Sequence, residues 1–327
     1  MAIIFMDGFD LYSATVPVSR RWSGGGLVAG RFGGQALSTT TGNQSLTLGS
    51  FNSTLAVGFA WNRSSFQAKT LIFSFNNSLS GFQQTMCSIS IEISGAVTWD
   101  GPSGSGATAS SVPGLIATNT WHYYEVELTR STTTGTIKVY LDGVQIISKT
   151  NVNTGTTDID YLSLQGGNGN VGVSFDDMYC VNVATRLGEC RIDTLRPTAD
   201  TATKGWTPNS GTTNFSRVSE ETSDGDTTFN SATVVGTKDL FAIADLPVTP
   251  TTIFAVQPVL VARKDNTALS QLCVDVVSGS ATVQGAVNSL TSTYSYHVDT
   301  LVADPNTGAA WTATAVNALQ LGYEILL

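Results

Sequence analysis

Between positions 121 and 147 the chain reads WHYYEVELTRSTTTGTIKVYLDGVQII, and apolar and polar side chains alternate along it. Tyr124, Val126 and Leu128 fall on one face of a strand, with Glu125, Glu127 and Thr129 on the other, the period of two that marks a half-buried strand. A Thr-rich connection ending at Gly135 leads into a second alternating run in which Ile137, Val139 and Leu141 share a face. Asp142-Gly143 is a dipeptide that tolerates positive φ at both centres of a type I′ turn, so the chain is predicted to fold straight back along 144–147. The outcome is a three-stranded antiparallel meander.

The same alternation recurs upstream and downstream. Leu55, Val57, Phe59 and Trp61 line one face of an earlier strand; Leu71, Phe73 and Phe75 follow, then 86–93 and 96–99 around a Ser94-Gly95 turn. Segments 45–48, 159–164 and 171–181 complete a first half of about eleven short strands with no helical period, which predicts an antiparallel sandwich. The run GPSGSGATASS at 101–111 is expected to be a flexible loop by composition. A change of composition over 183–191 places a domain boundary there, giving an N-terminal domain 1–183 and a smaller C-terminal β-domain 184–327 expected to serve docking or assembly. In the second domain, strands are predicted at 192–195, 215–218, 239–243, 253–261, 272–277, 281–287, 294–302 and 322–327. Pro258 makes one of them an edge or bulged strand. One short helix is predicted at 313–319, ending before Gly322.

Composition narrows the function classes. Charged residues are 13% of the 327, against roughly 25% in an average soluble domain. Such a polar but weakly charged surface suits a chain packed in an assembly, and secreted β-proteins share it. A net charge of -9 with no basic stripe argues against nucleic acid and anionic membrane surfaces as partners. No apolar run approaches the ~20 residues needed to span a bilayer, and MAIIFMDGFD reads as a first strand rather than a secretory signal. Sequons at Asn43, Asn52, Asn62, Asn76 and Asn214 are expected to be idle. Cys87, Cys180, Cys190 and Cys273 show no C-x-x-C spacing and only His122 and His297 accompany them, so no metal site and no cofactor are expected. Cys87 reads as a small buried hydrophobe, and Cys180 with Cys190 is the one pairing to weigh as a disulfide.

Several stretches imitate chemistry. The run 167–172 matches G-x-G-x-x-G but leads into a strand, where a dinucleotide site needs it to open a helix. Glu125 and Glu127 have the spacing of paired glycosidase carboxylates, yet Thr129 follows instead of a third acid, and they read as solvated face residues. Glu220, Glu221, Asp224 and Asp226 read as an acidic surface loop rather than a calcium loop. Asp176-Asp177 reads as a pair that bonds neighbouring backbone amides. Trp99-Asp100 resembles a sugar-stacking corner, an aromatic plate beside a hydrogen-bonding acid, although core or rim packing is the commoner role of such a Trp. No Ser-His-Asp set can be assembled from the two histidines.

The run WHYYEVELTR…GTIKVYLDGVQI, followed by VSFDDMY at 173–179, resembles the core of the concanavalin A-like, laminin-G-type jelly roll over residues 1–183. FMDGFDLY, RRW at 20–22 and GRFGGQAL at 30–37 resemble the start of tailed-bacteriophage particle proteins built on that jelly roll. RIDTLRPTADTATKGWTP, DGDTTFNS and DPNTGAAWTATAVNALQLG extend the likeness through the second domain. The resemblance implies a non-enzymatic structural component of the virion, a tail-associated or appendage protein or a capsid decoration, assembled in the host bacterial cytoplasm. Its partners would be other capsid or tail proteins, and homo-oligomers, trimers above all, suit symmetric particle sites. The alternative is a receptor lectin used in host adsorption, contacting a host-surface glycan through Trp99, Asp100, Asn168 and Asn170. A glycoside hydrolase working through Glu125 and Glu127 is the remote alternative. Eukaryotic relatives of the jelly roll use calcium, and this sequence has no clear match to such a ligand motif.

Overall fold

The computed structural model describes residues 2–39, 43–48, 54–66, 68–77, 84–155, 159–166 and 172–327. The chain forms two compact units, one of Met1–Asp10 with Arg21–Ile192 and one of Leu11–Arg20 with Asp193–Leu327.

The first unit holds fourteen strands among its described residues: β1 (Ile3–Asp7), β2 (Gly26–Ala29), β3 (Gln35–Ser38), β4 (Asn43–Thr47), β5 (Thr54–Arg63), β6 (Thr70–Asn77), β7 (Gln84–Ile91), β8 (Val97–Asp100), β9 (Thr108–Ser110), β10 (His122–Thr129), β11 (Gly135–Leu141), β12 (Val144–Val152), β13 (Tyr161–Gln165) and β14 (Val173–Val181). The expected meander is β10-β11-β12, and Asp142 and Gly143 take the positive φ values, 49° and 79°, that its turn requires. It forms one end of an eight-stranded sheet in the order β12-β11-β10-β5-β14-β3-β2, with β1 paired to β14. The second sheet runs β4-β13-β6-β7-β8-β9. All pairings are antiparallel. Phe59 of the first sheet meets Phe73 of the second at 5.4 Å between ring centroids and Phe175 at 5.8 Å, so the apolar stripes read from the sequence face each other as the core of a jelly-roll sandwich.

The opening motif earns its place mechanically. Asp7, 1% exposed, accepts hydrogen bonds from the Phe9 amide at 2.9 Å, Trp22 Nε1 at 3.0 Å and Arg21 at 3.3 Å. Phe5 and Phe9 pack on the Trp22 ring. Phe9 sits at φ 58° instead of continuing the first strand as expected.

The expected boundary at 183/184 lies upstream of the break between the units. Residues 184–192 stay with the sandwich because their backbone amides bond its carboxylates: Arg186 to Glu127, Gly188 to Glu125 and Ile192 to Asp177, all at 2.8–3.0 Å. The Cys180–Cys190 pairing weighed from the sequence is not formed; the cysteines are free. Cys180 lies opposite Val57 and faces the core, whereas neighbouring Tyr179 turns to the outer face where Cys190 lies, so the strand backbone separates the two sulfurs. The 101–107 stretch is also more fixed than its composition suggested, with Gly101 N donating to Ala107 O at 2.8 Å and Ser105 N to Pro102 O at 2.9 Å.

In the second unit the strands are β15 (Pro197–Lys204), β16 (Thr207–Pro208), β17 (Asn230–Ser231), β18 (Lys238–Ile243), β19 (Val259–Ala262), β20 (Gln271–Ser278), β21 (Ala281–Gln284), β22 (Asn288–Ser289), β23 (Ser295–Val298) and β24 (Gln320–Ile325). The main sheet runs β15-β18-β24-β20-β21, with β22 on β20. The helix expected at 313–319 is α1 (Ala313–Asn317), started by Thr312, whose hydroxyl accepts from the Ala315 amide. Three strand expectations fail in whole or in part, the first being 253–261, of which only the end from Val259 is strand, with isolated bridges at Ile253 and Val256 before it. Phe215–Arg217 is a 3-10 turn, because Asp200 takes the amides of Asn214 and Phe215 and bends the chain. Residues 192–195 are not a strand, and the first strand begins at Pro197. Among the described residues no helix is long and apolar enough to cross a membrane.

Candidate functional site

Each sheet of the sandwich has an inner face on the core and an outer face, and the two outer faces differ in what they offer. On the first sheet, Glu125 and Glu127 of β10 point outward, as their alternation required. They are not solvated, however: they are 1% and 8% exposed. Segment 184–192 lies over them. Glu125 Oε1 accepts from Tyr179 Oη at 2.6 Å and Gly188 N at 2.8 Å, while its Oε2 pairs with the Arg186 guanidinium. Glu127 accepts from Arg186 N at 3.0 Å and from Lys138 Nζ at 3.1 Å. The guanidinium stacks over Tyr140 at 4.2 Å. Burial, reinforced by the Glu125 charge beside it, drives the Tyr179 phenol far above its ordinary value and keeps it a donor. Gly58, across from Glu125, makes the space: a Cβ there would lie 2.3 Å from the Tyr179 ring. Carboxylates this fully engaged hold the 184–192 strap and have no free oxygen poised for a glycosidic bond.

A second carboxylate cluster lies near the strap's end. Asp176 accepts from Arg31 N at 2.7 Å and Asp177 N at 2.8 Å, and Asp177 accepts from Ile192 N at 2.8 Å, the amide-bonding role read from the sequence. Burial and the neighbouring Asp177 charge push the Asp176 carboxyl up to about 8. Burial raises Asp177 to about 6, opposed by the Ile192 amide and by Arg31.

The outer face of the second sheet is built of small hydroxyls. One register row crosses all six strands as Ser45, Ser163, Ser74, Ser88, Asp100 and Thr108. In its middle the groups satisfy one another. Ser45 and Ser163 hydroxyls are 3.1 Å apart, and Asn76 Nδ2 donates to Ser74 Oγ at 2.9 Å and Ser163 Oγ at 3.1 Å. Toward β9 the row opens to water. Asp100 is 41% exposed at its side chain, Lys69 46% and Glu92 33%. Lys69 Nζ lies 3.2 Å from both carboxylates, Thr108 donates to Asp100 at 2.8 Å, and Thr98 bridges Glu92 and Ser110 at 3.1 and 2.9 Å. This rim offers an ammonium, two carboxylates and exposed hydroxyls on one side of a rigid sheet, the donor and acceptor mixture that a polyhydroxyl ligand requires.

Of the sequence-predicted site residues, Asp100 sits in this rim. Trp99 does not: it is 0% exposed, turned into the core by the same alternation that turns Asp100 outward, so neither ring face is open to a sugar. Its backbone carbonyl instead accepts from Thr108 Oγ1 at 3.0 Å. Asn168 and Asn170 lie outside the described residues. Lys69, Glu92, Thr98 and Thr108 were not anticipated; the only signal was the Ser/Thr alternation on 84–110, which marks an outer face without saying which part of it opens. His122 is a structural group, with Nδ1 2.7 Å from Asp142 Oδ2 and Nε2 accepting from Ala117 N at 3.1 Å.

No protein-family model matches the chain, and no curated protein matches it. Solved structures similar to parts of it include the metal-free carbohydrate recognition domain of Emp46p, at 11% identity over 57% of this chain and 100% of that one, with a TM-score of 0.40. The endo-1,3-beta-glucanase from Streptomyces sioyaensis follows at 13% identity over 55% and 96%, TM-score 0.38. The alginate lyase Aly36B is similar at 10% identity over 48% and 83%, TM-score 0.35. Likenesses this loose carry no family and no activity, and the all-β, antiparallel sandwich stands on the strands and registers described above.

Proposed function

We propose that this chain is a non-enzymatic binding protein whose jelly-roll unit recognises a glycan through the Lys69, Glu92, Asp100 and Thr108 rim of its second sheet. The observation that carries this reading is the asymmetry of the two outer faces. On the first sheet the carboxylates are consumed by the chain's own strap, while on the second a mixed donor and acceptor rim remains partly in water. Sugar hydroxyls both donate and accept, and a preordered sheet edge presents such groups at little entropic cost. A glycan array probed with the folded full-length chain tests it: binding to a restricted set of glycans is expected, and a blank array from folded protein contradicts it.

A second reading, compatible with the first, places the chain on the surface of a tailed-bacteriophage particle. It rests on the sequence resemblance, whose residues Asp7, Arg21, Trp22, Arg31, Asp176 and Asp177 take part in the clasp and carboxylate contacts that hold the sandwich together. Antibody labelling of purified particles tests this reading, and absence from intact particles would sink it.

A further inference from the structure

On the main sheet of the second unit, Cys273 of β20 lies opposite Glu324 of β24, and Glu324 lies opposite Lys238 of β18. Asp275, two residues along β20 from Cys273, shares its face. Val274, Val276 and Tyr323 alternate with these residues and fill the hydrophobic clusters on the other side. Cys273 Sγ and one oxygen each of Asp275 and Glu324 lie within 4.8 Å of one another. Cys273 and Asp275 are both 0% exposed. Neither Asp275 oxygen has a hydrogen-bond partner of good geometry, and the carboxylate's charge is met by the Lys238 ammonium, 3.1 Å from Oδ2, with the Gln284 side chain beside it. The same ammonium is 3.0 Å from Glu324, whose orientation Gln284 Nε2 fixes at 2.6 Å.

A buried carboxylate short of partners is costly, and here one of its oxygens lies beside a thiol and a second carboxylate. The geometry points to a site for a borderline-soft divalent cation, of the Zn2+ or Cd2+ class, formed by Cys273, Asp275 and Glu324. Lys238 occupies the position of the cation's charge. A thiolate with two carboxylates selects this class over calcium or magnesium, which prefer oxygen alone, and three protein ligands leave the fourth tetrahedral position to water. Binding exchanges the Cys273 S–H bond for a sulfur–metal bond and delivers the proton to the buffer, with no redox change. The Lys238 side chain, 26% exposed, has a path to solvent as the cation enters. The net charge of the cluster is the same before and after the exchange.

The test is titration of the full chain with Cd2+, reading the ultraviolet thiolate-to-cadmium charge-transfer absorption and the protons released. One equivalent should saturate the band, with Zn2+ displacing it. Lys238→Met should tighten binding at least about tenfold by removing the resident ammonium. Cys273→Ala should abolish the band, and Cys190→Ala should leave it intact. The absence of a band in the folded wild type overturns the site, and so does a band that survives Cys273→Ala. The wild-type titration decides the question even if a variant fails to fold.

Discussion

Arg186 and Glu125 are the side chains on which the closed face of the sandwich depends. Glu125 is buried and meets the guanidinium, a phenol and a backbone amide, while Arg186 is 28% exposed. Removing the cation strands a buried carboxylate. A fully buried pair loses about 3–5 kcal/mol on such truncation, and the partial exposure of Arg186 lowers the expected cost of Arg186→Ala to about 2–3 kcal/mol. Urea unfolding of the two proteins measures it, and a midpoint equal to wild type contradicts the clamp. The Asp176-Asp177 pair makes a second residue-level prediction. Both folded carboxyls titrate above the ordinary 3.8, at about 8 and about 6, so the folded state keeps protons that the unfolded chain releases. Their contribution is fully present below the usual carboxylate range and is lost as pH rises toward about 8. The stability of wild type relative to Asp176→Asn should therefore fall between about pH 5 and pH 8; a constant or rising difference contradicts the assignment. Sequence alone could assign Asp176 and Asp177 to backbone amides because short acidic pairs do this locally. It could not show that Glu125 and Glu127 are covered, because Arg186 and Gly188 reach them across some sixty positions of chain.

At the scale of elements, the meander, the β5 and β7 stripes and α1 were legible because each carries its own signal: an alternating run, an Asp-Gly turn, a helical run stopped ahead of Gly322. The 3-10 turn at Phe215–Arg217 was not, since its apolar and polar residues alternate like a strand and the deciding contacts come from Asp200. Whether Trp99 packs in the core or faces a sugar was left open for a related reason: alternation says that Trp99 and Asp100 face opposite ways but not which way is out until the neighbouring strands are known. The packing of the strap also depends on one strand position. Gly58 leaves room for the Tyr179 ring, and a Cβ at 2.3 Å from it cannot be accommodated without moving β5 or β14. Gly58→Ala should cost about 1–3 kcal/mol, the range of overpacked cores, read as a lowered thermal midpoint; an unchanged midpoint would mean that the ring has space elsewhere.

For the whole molecule, the notable departure from a simple two-domain chain is that Leu11–Arg20 belongs to the second unit. Tyr296 Oη donates to Leu11 O at 3.2 Å and Val16 O at 2.5 Å, and its ring packs on Tyr12 at 5.2 Å. A fragment 193–327 lacks this piece of its own fold. It should melt broadly, and a peptide of residues 11–20 added in trans should sharpen and raise the transition; a cooperative melt indifferent to the peptide contradicts the assignment. No composition change marks 11–20, which is why the sequence placed a single boundary later in the chain. The functional account turns on the outer faces of the sandwich, and the most direct measurement is calorimetric titration of array-selected glycan into wild type, Asp100→Ala, Lys69→Ala and Glu127→Gln. The account predicts affinity lowered at least about tenfold by each rim substitution, as expected for loss of a charged hydrogen bond of about 1.5–3 kcal/mol, with Glu127→Gln binding like wild type. Rim variants that bind like wild type, or affinity lost only in Glu127→Gln, would contradict it.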